Sequence, residues 1–88
     1  MGKKYFADIV INKEKLSDGS PIFVAHCVNL GIASQGETFE AASENIKEAI
    51  ELYLEEQPEK YSELTTEELS LFSIIEIAKD AKTVDLIR

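Results

Sequence analysis

Because Cys27 is the sole cysteine of this 88-residue chain, no intramolecular disulfide can form, which suits a reducing compartment. The sole histidine, His26, is its neighbour in sequence. In a strand the two side chains point to opposite faces, so they cannot share a zinc ion, and a zinc site needs more ligands than these two supply. Gly31 and Gly36 are too few and too far apart for a phosphate-cradling loop, and Ser34 lacks the Gly-x-Ser-x-Gly setting of a hydrolase nucleophile. Basic residues are scarce: nine against seventeen acidic ones, a net charge of −8. Such a surface repels a phosphate backbone, so direct nucleic-acid binding is not expected, whereas a basic protein partner is admitted. There is no run of eighteen apolar residues, and Met1-Gly2-Lys3-Lys4 leads into neither a signal-peptide core nor a myristoylation signal. The expected setting is the cytoplasm, without a membrane anchor.

What is present centres on the passage from Leu30 to Ala42, where a strand gives way to the one long helix. Gly36, able to take a backbone angle closed to most residues, reads as a turn, and the Thr38 hydroxyl as the cap of the first turn. Glu37 and Glu40 place negative charge at the positive end of the helix dipole, each favouring the start by about 0.3–1 kcal/mol.

Residues 5–12 alternate, with Tyr5, Ala7, Ile9 and Ile11 on one face and Phe6, Asp8, Val10 and Asn12 on the other. Ser17-Asp18-Gly19-Ser20-Pro21 turns the chain back into a second strand, residues 22–27. That strand is apolar at both parities, as a central strand is. A third, short strand spans residues 32–35. Phe39, Ala42, Ile46, Ala49, Ile50, Tyr53 and Leu54 then recur at helical spacing to Glu56, and Gln57-Pro58 ends the helix. The opposite helix face carries Glu40, Glu44, Glu48, Glu51 and Glu55. Residues 59–70 are polar, and residues 71–77, rich in β-branched side chains, predict a fourth strand.

The expectation is therefore an α+β, two-layer β-β-β-α-β domain over residues 1–78, followed by a tail at residues 79–88. A right-handed crossover sets the fourth strand beside the first, in a mixed sheet of order 3-2-1-4 with the helix on one face. The other face keeps Phe6, Asp8 and Val10, with apolar side chains of the second strand such as Phe23, and a patch of this kind marks an interface. Either a second copy or a different chain fits it, so a homo-oligomer is expected. Asp8 and Glu76 approach each other if the first and fourth strands pair; with no third carboxylate from a neighbouring strand, a metal-dependent nuclease is the weaker alternative. No catalytic, metal or cofactor set is otherwise assigned.

The stretch from Ala25 through Cys27, Leu30-Gly31 and Ser34-Gln35-Gly36-Glu37-Thr38 to Glu40 and Ala42, continuing to Glu56, resembles the HicB family of antitoxins. Val28 stands where that family usually has proline, Asn29 where it often has an acid, and Ala41 where it commonly has a second glutamate. The resemblance implies a partial ribonuclease-H-like fold without nuclease activity, with Gly31, Gly36, Thr38 and Glu40 as its structural motif. It also implies a partner: a small basic toxin of the HicA type that cleaves messenger RNA and is silenced by binding. Many members add a helix-turn-helix or ribbon-helix-helix segment that binds promoter DNA. Eleven residues follow Ile77, fewer than either segment needs, so no separate DNA-binding domain is expected.

Overall fold

A computed structural model describes residues 3–67 and 73–79. Three strands, β1 (Ile9–Lys15), β2 (Pro21–Cys27) and β3 (Ile32–Gly36), precede a helix, α1 (Phe39–Glu56), and a short 3-10 helix, Pro58–Glu63. The sheet is antiparallel in the order β1-β2-β3, so β2 is central, as its two apolar parities require.

β1 lies further along the chain than the alternation of residues 5–12 suggested. Its register pairs Ile9 with Cys27 and runs on to Lys15 opposite Pro21. Backbone pairing carries β1 past the point where its own apolar side chains end: Asn12, Lys13, Glu14 and Lys15 stand exposed, the last two opposite Ile22 and Pro21 where the hairpin extends beyond β3. The hairpin is closed by Gly19 N–H donating to Leu16 C=O (2.9 Å), with Gly19 itself at φ 89°. The Asp18 carboxylate accepts from Ser20 N–H at 2.9 Å and from Ser20 Oγ at 2.6 Å, which rigidifies the turn.

Between β2 and β3 the tight bend is made by Gly31, at φ 72°, whose N–H donates to Cys27 C=O at 2.9 Å. Gly36, by contrast, does not sit in the left-handed region. It is required by proximity: a β-carbon there would stand 2.5 Å from Ala42 N and 2.7 Å from Ala41 C. The strand meets the helix too closely for any side chain. Thr38 caps as expected, its Oγ1 accepting from Ala41 N–H at 3.0 Å, with Glu40 in the first turn. Asn45 Nδ2 donates to Gln35 C=O at 2.8 Å and ties the second turn of α1 to β3.

The helix stripe buries Ala42, Ile46, Ile50 and Leu54 against Ala25 and Cys27 of β2. Ile9, Ile11, Phe23, Leu30 and Ile32 pack around that cluster, half-buried. α1 lies chiefly over β3 and β2 and barely reaches β1. None of the described helices is long and apolar enough to cross a membrane.

The fourth strand expected over residues 71–77 does not form where it can be followed. Residues 73–78 are exposed and in no ladder, and Leu71 and Phe72 lie outside the described residues. Ile74, Ile75 and Ile77 are 100%, 74% and 82% exposed. The 3-10 helix was not foreseen; Pro58 stands in its first turn, where a missing N–H costs nothing.

Candidate partner interface

The two faces of the sheet follow from strand register. Ile9, Cys27 and Ile32 form one cross-strand row and belong to the helix side. The neighbouring rows, Val10 with His26 and Ala33, and Asn12 with Val24 and Gln35, therefore point away from α1. Among the described residues no element packs on that outer face. Val10 and Val24 are half-buried there, and His26 and Ala33 are exposed.

Of the four residues anticipated at an interface, Asp8 and Val10 share this parity. Asp8 is held by its backbone: its N–H donates to Asn29 Oδ1 at 2.6 Å and its C=O accepts from Val28 N–H at 2.8 Å. Asn29 thus fastens the β2–β3 bend to the start of β1. Phe6 is half-buried and pairs through its backbone with Thr65. Phe23 departs from the expectation. It sits in the row of Lys13 and Gly36, two residues from Ala25, and so packs on the helix side, with the Lys13 ammonium 6.0 Å from its ring centroid. The apolar run of β2 supplies both faces, and parity within the run places Phe23 inward.

A second surface was not read from the sequence. Where α1 stops short of β1, a groove of about 650 Å³ opens between them. Tyr5, Ala7, Ile9 and Ile11 form its strand wall, and Phe39, Ile46, Ile50 and Leu54 its helix wall. Tyr61 and Leu64 border the groove beyond α1, and Tyr61 stacks at a tilt on Tyr5 with ring centroids 4.8 Å apart. Phe39, counted in the helix stripe, is 54% exposed on this groove, and no described element covers it.

The groove also borders an unpaired strand edge. Since Asp8 C=O faces β2, alternation along an antiparallel strand turns the backbone groups of Ile9, Ile11 and Lys13 to the free side of β1. No strand among the described residues pairs with them.

Glu44, Glu48, Glu51 and Glu55 form an exposed acidic stripe along α1. Like charges four residues apart cost a few tenths of a kcal/mol per pair, and the last turn carries no basic residue to complement the helix dipole. Lys47, between Glu44 and Glu51, is the basic residue that relieves the stripe. Asp8 and Glu76 are not part of any group of three or more His, Cys, Asp or Glu able to hold a metal ion among the described residues, and Glu76 stands exposed on the unpaired segment.

Comparison of the chain with protein-family models, with curated proteins and with solved structures finds no match to any of them.

Proposed function

We propose that this chain is an antitoxin-like binding module, and not an enzyme, that neutralises a small basic messenger-RNA-cleaving toxin of the HicA type in the cytoplasm. The observation that carries the reading is the sheet face around Asp8, Val10, Val24 and His26, over which no described element packs. A second support is charge: a net −8, with four glutamates in line on α1, steers a basic partner and raises its association rate. The Gly36–Thr38 junction and the resemblance to HicB antitoxins supply the class of partner. In this reading the complete sheet has the order 3-2-1-4, its fourth position beside β1, expected for residues 71–77, being one that no described residue of the single copy fills.

Co-expression of the tagged chain with its genomic neighbours tests the proposal. A small basic protein is expected in stoichiometric amount, with its ribonuclease activity blocked in the complex. A partner that is acidic, or one that keeps full ribonuclease activity when bound, overturns it.

A further inference from the structure

Three features meet at one edge of the sheet: the outward backbone groups of Ile9, Ile11 and Lys13, the apolar groove beside them, and a β-branched segment that nothing covers. A flat, unpaired strand edge is a template for another strand, and three isoleucines at 74–100% exposure are a liability unless they are buried elsewhere. Each feature supplies what another lacks. The segment needs backbone partners and apolar cover, and the β1 edge and its groove offer both.

The direction of the chain at Thr65 favours trans over cis. Phe6 N–H donates to Thr65 C=O at 2.7 Å and Thr65 N–H to Phe6 C=O at 3.2 Å, an antiparallel bridge. At Thr65 the chain therefore runs opposite to β1, toward Tyr5 and Lys4 and away from Ile9 and Ile11. The described residues that follow, 73–78, are exposed rather than folded back into the groove.

We propose that two copies of the chain exchange residues 73–77, each adding a strand to the free edge of the other's β1 and filling the other's groove. Alternation fixes the register of faces. Ile75 and Ile77 enter the groove against Ile9, Ile11, Phe39 and Ile50, while Ile74 and Glu76 point to the outer face. The opposite parity would leave Ile75 and Ile77 outside the groove and set Glu76 among its mostly apolar lining, where Lys47 is the one cation, so apolar burial favours the first. The exchanged strand also brings Ile74 beside Val10 and enlarges the outer sheet face. This inference concerns the chain alone and stands whether or not a toxin partner exists.

The test is sedimentation equilibrium of the purified full chain, with variants at positions exposed in the single copy, where substitution leaves the domain folded. Wild type is expected at twice the 9.8 kDa mass of one chain. Ile75→Asp and Ile77→Asp are each expected to return it to the single mass, and Glu76→Gln to leave the dimer intact. A second measurement fixes who supplies the strand: chains carrying Ile11→Cys and Ile75→Cys under different tags are co-expressed and oxidised. A disulfide joining the two tags supports exchange. A monomeric wild type, a dimer indifferent to both aspartates, or the absence of any disulfide between the two tags overturns it.

Discussion

A β-carbon added to Gly36 would stand 2.5 Å from the amide nitrogen of Ala42. Both residues belong to the junction where β3 hands the chain to α1, and the atoms in the way are helix backbone, which cannot swing aside. Gly36→Ala is expected to destabilise the domain by about 2–3 kcal/mol, the cost of overpacking a close-fitted contact. Gly31→Ala meets open space and carries only the strain of its φ of 72°, about 1–2 kcal/mol. Urea denaturation of both variants checks the ranking, with Gly36→Ala the more severe.

The Thr38 hydroxyl holds the Ala41 amide at 3.0 Å at the start of α1. Thr38→Ala is expected to cost about 1 kcal/mol, and Thr38→Asp to restore most of it, since an aspartate can accept the same bond and adds favourable charge at the helix start. Thermal unfolding followed by circular dichroism measures this as a drop of about 4–8 °C for the alanine variant.

Ile46, 2% exposed at the centre of the helix stripe, packs in the cluster with Ala25 and Cys27. Truncation to alanine removes buried methylenes and leaves a cavity, for an expected loss of about 2–5 kcal/mol, a large share of what a domain this small holds. Leu52, 60% exposed on the same helix, is the control: Leu52→Ala is expected within about 0.5 kcal/mol of wild type. Denaturant midpoints for the two variants compare these directly.

Two hydrogen bonds from Ser20 hold the Asp18 carboxyl below the usual 3.8, the side-chain bond being the larger cause. A lowered folded value means that the ionised carboxylate is the form the turn prefers. Its small stabilisation is present above the unfolded value of 3.8 and is lost as pH falls through the lowered folded value. An NMR titration of Asp18 is expected to show a midpoint below 3.8, moved upward in Ser20→Ala because the larger contribution is removed. An unchanged midpoint in that variant would assign the shift elsewhere.

Periodicity made much of this architecture legible. The helix limits at Phe39 and Glu56, the Thr38 cap and the central place of β2 all follow from spacing and residue type. Gly36 was legible as a glycine of the junction but was assigned the wrong reason, because close approach between β3 and α1 is a tertiary fact and a turn angle is a local one. The shift of β1 to Ile9–Lys15 has the same origin: hairpin pairing is a backbone property, and side-chain alternation underestimates its reach. Phe23 went to the inner face because parity within an all-apolar strand is set by register with its neighbours. The groove was hidden for a further reason. It arises from where α1 ends laterally on the sheet, a distance between elements that no stretch of sequence records.

The central claim, that the outer sheet face receives a basic ribonuclease, is tested most directly by titrating the messenger-RNA cleavage of the co-purified partner with wild-type chain and with Val10→Lys. Val10 lies on that face beside His26, away from the α1 core. The account predicts stoichiometric inhibition by wild type, weakened at least tenfold by Val10→Lys with the fold intact by circular dichroism, because a cation is set against a basic surface. Equal inhibition by the two chains, or none by wild type, would contradict it.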